Sequence, residues 1–242
     1  MEKELKKSSK AHTIYKLEDG TRVPGVTTIC GLLAKPALIQ WANKMGLDGY
    51  DMNKYVDTTA NIGTLGHRMI VDYLENGTYG HYEDEFNKTE ISMAQNSCLS
   101  FFEWQASNGL VLEKAEEPLV SEMYRFGGTL DLYGYVKGTK ALVDIKTGNG
   151  IWFEHEVQVA GGYTLLLDEH NYKYDKVIIL NVPRSPDETF DVRVIERNRI
   201  ESLQRFFKLL VELYYLKRSL EGKDYGRKYI KKSDKKLFNE AE

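Results

Sequence analysis

Residues 126–163 read FGGTLDLYGYVKGTKALVDIKTGNGIWFEHEVQVAGGY, and this stretch decides the fold. Residues 129–136 and 141–147 are rich in β-branched, aromatic and aliphatic side chains, and a polar Lys-Gly-Thr-Lys turn separates them. Two such runs with a short polar connection predict a β-hairpin. A helix is expected to follow over residues 154–168.

The predicted hairpin gathers charged side chains on one face. With residues 138–139 as the turn, Asp131 lies opposite Lys146, and Tyr133 lies opposite Asp144. Residues two apart on a strand point to the same side of the sheet, so these four side chains share a face. Asp131 is then diagonal to Asp144, with roughly 7 Å between their backbones. Two carboxylates so arranged can reach a common cation.

The types of these residues indicate phosphodiester chemistry. Carboxylate oxygens suit Mg²⁺ or Mn²⁺, which keep coordination positions open for water and phosphate. A lysine ammonium beside the ion can stabilise developing charge or orient the attacking water. An Asp-x-Lys tripeptide alone is usually part of a solvated strand face, so Asp131 in register is what favours a metal site.

The motifs of this stretch resemble those of the PD-(D/E)XK nuclease superfamily, within it the RecB-type branch that includes phage exonucleases. The matching residues are Gly-Thr-Leu-Asp131, Val-Asp144-Ile-Lys146-Thr-Gly, Gln158 and Tyr163. Upstream, residues 63–67 read GTLGH, open a predicted helix, and are similar to the histidine motif of that branch.

The resemblance implies a role for each of these residues. The implied metal ligands or metal-side residues are Asp131, Asp144, the Ile145 carbonyl, His67 and Glu122, the last expected on the strand before the hairpin. Lys146 is implied as the catalytic lysine, and Gln158 and Tyr163 would position the DNA backbone. Without the family pattern, a lone histidine such as His67 is more often structural.

One spacing departs from the family. The branch usually places its glutamine and tyrosine four residues apart, whereas Gln158 and Tyr163 are five apart. On an ideal α-helix, five residues turn through about 500°, which separates the two directions by about 140°. Two explanations are open: the glycine pair at 161–162 distorts the helix, or one of the two side chains is not functional. The glycine pair also suggests that the sheet or a ligand approaches the helix closely.

Composition bounds the class of protein. The chain has 242 residues, 42% hydrophobic and 29% charged, which is typical of a globular domain. Its net charge of −3 does not indicate nucleic-acid binding, but residues 217–236 carry nine Lys or Arg against three acids. Four lysines of the first ten residues make the N-terminus basic as well. Such runs are commonly solvated tails, and a nuclease site would make them a phosphate footprint.

Cysteine and hydropathy exclude further classes. Two cysteines cannot supply the four-cysteine iron–sulfur cluster that some members of the branch carry. No apolar run approaches the length of a membrane span, so no membrane partner is expected. A cytoplasmic location follows as the expectation, with a phage-encoded protein in a bacterial host as one origin.

The order of predicted elements gives an α/β fold with a restriction-endonuclease-like core, a mixed β-sheet flanked by helices in the order αβββαβ. A helical N-terminal part covers about residues 26–110, the catalytic core about 118–216, and a basic tail 217–242, all within one domain. A strand is expected over residues 118–126, with the glycines at 127–128 turning it into the hairpin.

The leading functional hypothesis is a Mg²⁺- or Mn²⁺-dependent deoxyribonuclease acting as an exonuclease in recombination, repair or phage DNA metabolism. A non-catalytic DNA- or protein-binding module and a structure-specific endonuclease are the alternatives. The expected partner is single- or double-stranded DNA, with a recombination or single-strand-binding protein as a further partner. No phosphate-binding loop accompanies the motifs. Polarity, metal preference and oligomeric state stay open.

Overall fold

The computed structural model describes residues 13–33 and 35–223. The basic residues predicted at the N-terminus and most of the predicted basic tail lie outside these ranges. The first part of the chain consists of β1 (Tyr15–Lys16), β2 (Arg22–Val23), α1 (Val26–Cys30), α2 (Pro36–Leu47), α3 (Met52–Asn76) and α4 (Lys88–Asn108). Local signals fix the long helices: Asn87 and Glu90 form a capping box at the start of α4, and Gly109 ends it in the left-handed conformation.

A mixed sheet follows. Its elements are β3 (Val111–Ser121), β4 (Phe126–Val136), β5 (Thr139–Thr147), α5 (Phe153–Glu156), a π-helical segment (Val157–Tyr163), α6 (Thr164–Glu169), β6 (Lys176–Val182), β7 (Asp191–Ile195) and α7 (Arg197–Leu220). The strand order is β3-β4-β5-β6-β7, with β5 and β6 parallel and the other pairs antiparallel. The predicted mixed sheet flanked by helices and the αβββαβ order are confirmed.

Both faces of the sheet are buried, because each central strand sends alternate side chains into a different core. One core lies between the sheet and α1, the π-helical segment, α6 and α7, and the other lies between the sheet and α3 with α4. On β5, Leu142 belongs to the first core and Val143 to the second. Continuous apolar strands such as β6 are therefore expected at the centre. None of the helices within the described ranges has the length and apolar character needed to cross a bilayer.

The predicted hairpin turn is wrong by one position. Lys137 and Gly138 form the turn with φ of 52° and 73°, and Val136 pairs with Thr139. Positive φ at both positions is typical of a type I′ turn, whose twist matches the strands. The register therefore moves by two residues, and Tyr133 pairs with Leu142 rather than with Asp144. In a regular hairpin, a shift by two leaves the faces unchanged, since side chains alternate with period two; β4 loses this alternation next to Asp131.

The predicted strand over residues 118–126 also differs. β3 starts at Val111 and ends at Ser121, and the chain reverses at residues 122–125, where Arg125 has a φ of 58°. The glycine pair at 127–128 lies inside β4 instead of in a turn. A Cβ on Gly128 would lie 2.7 Å from Cε1 of Tyr163, so glycine permits close packing of the π-helical segment on β4.

Candidate active site

Helix α3 carries His67 to the end of β5. The motif at residues 63–67 lies in the middle of this helix and does not open it as predicted. A Cβ on Gly63 would lie 2.8 Å from Oγ1 of Thr147, and one on Gly66 would lie 3.8 Å from Cγ2 of the same threonine. The absence of a side chain at Gly63 lets α3 approach β5 closely, which places His67 at the sheet.

Strands β4 and β5 stop pairing next to the predicted metal ligands. Their last pair is Leu132 with Val143, after which Oδ2 of Asp131 accepts a hydrogen bond from the Ile145 amide at 2.8 Å. The side-chain alternation of β4 also changes here, since Leu130 and Tyr133 pack in one core while Leu132 packs in the other. The carboxylate of Asp131 is thus held in a fork, against the peptide that follows Asp144.

Three side chains meet at this fork. His67, Glu116 and Asp131 each offer a ligand atom, and these atoms lie within 4.8 Å of one another. Nδ1 of His67 is 3.5 Å from Oδ2 of Asp131. The group brings one imidazole and two carboxylates to a common point, a donor set that suits Mn²⁺ or Mg²⁺.

Sequence reasoning missed Glu116. Glu116 is exposed and has a φ of 47°. In the register of β3 with β4, Ala115 pairs with Leu132 and Glu117 pairs with Leu130, whereas Glu116 has no partner. Partial desolvation, followed by the neighbouring Asp131, raises its pKa to about 6, although His67 acts in the opposite direction. If the strand had been predicted to begin at Val111, Glu116 would have been placed beside Asp131. The charged residues of this segment do not alternate with apolar residues, so the sequence does not indicate a strand there.

Glu122 does not lie where the resemblance placed it. It follows the end of β3, and its Oε1 accepts a hydrogen bond from the Glu18 amide at 2.8 Å. Ser121, the last residue of β3, already lies about 16 Å along the strand from Glu116. The acidic residue that β3 brings to the fork is therefore Glu116, not Glu122.

Asp144 and Lys146 form a buried ion pair on β5 that does not belong to the three-residue group, although Asp131 and His67 are near enough to influence the pKa of Asp144. Nζ of Lys146 is 2.7 Å from Oδ2 of Asp144, whose residue is 1% exposed. Oδ1 of Asp144 is buried and accepts no hydrogen bond from the residues that the structure describes. A buried anionic oxygen without a donor is costly, so this atom is open to an additional cation.

Burial and charge shift both members of this pair. Burial raises the pKa of Asp144 to about 6, Lys146 opposes this, and Asp131 adds to it. Burial alone would lower the pKa of Lys146, but the carboxylates of Asp144 and Asp131 outweigh it and hold the value above the ordinary one. Lys146 therefore remains a cation at neutral pH.

The π-helical segment accounts for the unusual spacing of Gln158 and Tyr163. A π-helix has a wider turn than an α-helix, and it appears mostly as a short insertion at functional sites. Here Nε2 of Gln158 donates a hydrogen bond to the Tyr163 hydroxyl at 2.7 Å. The five-residue spacing thus brings the two side chains together, and burial raises the pKa of Tyr163 well above its usual value.

The glycine pair of this segment packs against helices. A Cβ on Gly161 would lie 2.8 Å from the Leu203 carbonyl of α7, and one on Gly162 would lie 2.6 Å from Cγ1 of Val26 in α1. The close approach predicted for these glycines is present, but its partners are α7 and α1 rather than the sheet or a ligand.

A cleft opens over the three-residue group. Its volume is about 540 Å³, and its lining includes Thr64, His67, Arg68, Glu116, Thr129 and Asp131. Nη1 of Arg68, one of the lining residues, is 2.9 Å from Oε1 of Glu85 in an exposed pair. The cleft thus lies between α3 and the sheet, next to the fork.

Comparisons with known proteins give weak similarities. No family model matches the chain, and no curated protein matches it. A solved structure of a protein from Eubacterium rectale, named as a candidate exonuclease, is 12% identical with a TM-score of 0.47 and covers 69% of each chain. An alkaline exonuclease from Laribacter hongkongensis is 19% identical with a TM-score of 0.33, over 66% of this chain and 84% of that one. The geometry of the site therefore carries the functional argument.

Proposed function

We propose that this protein is a metal-dependent deoxyribonuclease of the PD-(D/E)XK superfamily, in its RecB-type branch, acting as an exonuclease. One observation carries the proposal: the carboxylate of Asp131 is fixed in the β4–β5 fork by the Ile145 amide, with His67 and Glu116 beside it. The buried pair of Asp144 and Lys146 lies on β5, on either side of Ile145.

The side chains at the fork fit Mg²⁺ or Mn²⁺. We assign Asp131, His67 and Glu116 as ligands, and Asp144 as a further ligand through its unpaired Oδ1. The Ile145 carbonyl remains a predicted ligand. When bound, such an ion polarises a phosphoryl oxygen and lowers the pKa of a coordinated water.

Lys146 supplies a fixed positive charge for the reaction. Because Asp144 and Asp131 keep it protonated, it acts as an electrostatic stabiliser of a phosphate and not as a general base. Its ammonium is within 2.7 Å of Asp144 and so lies beside the assigned ligands. This position suits the charge that develops on a phosphorane-like transition state.

Gln158 and Tyr163 act together in this proposal. The Gln158 amide is oriented by the Tyr163 hydroxyl, which is itself held by burial. The pair would position the DNA backbone through the glutamine. DNA as the substrate, a recombination or single-strand-binding protein as a partner, and a phage or bacterial DNA-metabolism context all rest on the resemblance.

A nuclease assay tests the proposal. Purified protein should degrade end-labelled single- or double-stranded DNA in the presence of Mn²⁺ or Mg²⁺, and EDTA should stop the reaction. Asp131→Asn should abolish cleavage, Lys146→Ala should slow it by about 100-fold, and both variants should retain DNA binding in a gel-shift experiment. Cleavage at the wild-type rate in both variants contradicts the assignment.

The same assay separates the two alternatives. An exonuclease needs an end, so covalently closed circular DNA should survive while the linearised form of the same plasmid is degraded. Cutting of closed circles identifies an endonuclease on the same core. DNA binding without cleavage at any metal concentration identifies a binding module.

A further inference from the structure

Helix α7 has a second apolar side that faces solvent. Its buried side contributes Leu203, Phe207, Leu210 and Tyr214 to the core. The leucines of the other side are Leu209, Leu213, Leu216 and Leu220, which are 57%, 49%, 56% and 81% exposed. At about 100° per residue, this outer leucine stripe lies about 120° from the buried side.

The outer leucine stripe has the spacing of a coiled-coil seam. Its leucines are separated by four, three and four residues, the a and d positions of a heptad repeat. Phe206 extends the series by one position toward the N-terminus, where its ring contacts that of Phe153 with centroids 5.5 Å apart. The series covers about 21 Å of helix, at 1.5 Å per residue.

Charges flank the outer leucine stripe in a complementary pattern. With Leu213 at a and Leu216 at d, Glu212 occupies a g position and Lys217 the following e position. In two parallel helices in register, the g residue of each helix faces the following e residue of the other. Glu212 of each copy therefore lies opposite Lys217 of the other copy, which gives two equivalent ion pairs. Among residues 13–33 and 35–223, the ion pair of Lys217 is an exposed contact with Glu221 at 3.9 Å, which costs little to exchange.

We infer that the outer leucine stripe docks a second copy of this chain, forming a two-fold dimer through a parallel α7–α7 coiled coil. The helix is already ordered by its buried side, so association does not bear the cost of forming it. A two-fold axis along the stripe makes the contact self-complementary. The stripe and the buried side point apart, so the two domains lie on opposite sides of the axis.

Sedimentation equilibrium of the full chain tests the dimer. Wild-type protein should have twice the 27.8 kDa chain mass at micromolar concentration. The double variant Leu213→Glu/Leu216→Glu should weaken association by about 100-fold or more, because it buries charge in the seam. Leu99→Glu, at a 63% exposed leucine of α4, is the matched control and should remain dimeric. Circular dichroism melting checks that each variant is folded.

Charge exchange and cross-linking test the parallel arrangement. Glu212→Lys should weaken the dimer, and adding Lys217→Glu should restore it. Leu213→Cys should give an intermolecular disulfide under mild oxidation, while Leu99→Cys should not; Cys30 and Cys98 are buried and do not compete. A monomeric wild type, or a dimer that survives the double leucine variant, would overturn the proposal. A dimer without the Leu213→Cys disulfide would overturn its parallel geometry.

Discussion

Asp144 and Glu156 are both buried carboxylates, with 1% and 3% of their residue surfaces exposed, but they have opposite surroundings. Glu156 accepts hydrogen bonds on both oxygens, from Nη1 of Arg193 at 2.7 Å and from Nε of Arg199 at 2.8 Å. Asp144 has one lysine on Oδ2 and an unpaired Oδ1, and its pKa is raised to about 6, chiefly by burial.

The difference separates an acid that is satisfied within the chain from an acid that is not, and the proposed function assigns a catalytic role only to the second. Glu156 joins α5 to β7 and α7 through two arginines, so its negative charge is satisfied within the chain. Asp144 lies beside another carboxylate and has too few donors, an arrangement that costs stability unless a cation joins it. The exposed fractions of Asp144 and Glu156 do not distinguish these two acids. Their hydrogen-bond and ion-pair partners do.

Asp144→Asn should give the largest effect. We expect DNA cleavage to fall by about 10³-fold or more, because a ligand and its charge are lost, while the melting temperature is held or raised. Glu156→Gln is the contrasting control and should cleave within about threefold of the wild type per folded molecule. Equal losses of activity in the two variants would break the comparison.

Lys146→Gln should come next. Loss of the ammonium removes an electrostatic contribution to the transition state, and cleavage at saturating DNA should fall by about 10²-fold. Single-turnover kinetics with labelled DNA measure the chemical step. Lys146→Arg should recover little, because a planar guanidinium cannot replace a compact ammonium in this space. Full activity of Lys146→Gln would show that the lysine only neutralises Asp144.

Glu156→Gln should affect stability instead. Two charged hydrogen bonds are replaced by weaker ones and two arginines face each other, so urea denaturation should show a loss of about 2 kcal/mol. The exposed pair of Arg197 and Glu201, 3.4 Å apart, provides the control, since Glu201→Gln should change stability by about 0.5 kcal/mol or less. A stable Glu156→Gln protein would remove the structural role assigned to this acid.

Glu116→Gln should weaken metal binding. We expect Mn²⁺ to raise the melting temperature of the wild type, and the midpoint Mn²⁺ concentration to rise by about tenfold in the variant. Glu122→Gln, which changes an acid outside the three-residue group, should behave as the wild type. An identical response of both variants would place the ion away from His67 and Asp131.

The smallest effect concerns pH and the metal-free protein. The pKa of Asp144 is raised from 3.8 to about 6, so the folded state favours its protonated form. The resulting stability is present below about pH 4 and is lost as the pH rises through about 6, so the free energy of unfolding should fall with pH across this range. Asp144→Asn should flatten this part of the profile in urea denaturation with EDTA. A steeper profile in the variant would contradict the sign of the shift.

The sequence predicted some elements well because their signals are local. The β4–β5 hairpin and the αβββαβ order of elements were expected from composition and periodicity, and the structure contains them. The predicted position of the β4–β5 turn was wrong because Lys137 has a positive φ, a conformation that a lysine in the sequence does not indicate. The long charged strand β3 was shortened for a similar reason, since its outer residues lack strand periodicity.

At the candidate site, the sequence by itself determined the chemistry: two acids and a lysine on neighbouring strands, a histidine on a preceding helix, and a glutamine and a tyrosine five residues apart. Tertiary structure alone decided their geometry. In the structure, Glu116 and not Glu122 lies near His67 and Asp131, since strand pairing brings together residues that are distant along the chain. It also joined Gln158 to Tyr163 through a π-helical turn, because packing of glycines against α7 and α1 sets a helical pitch that local propensity does not specify.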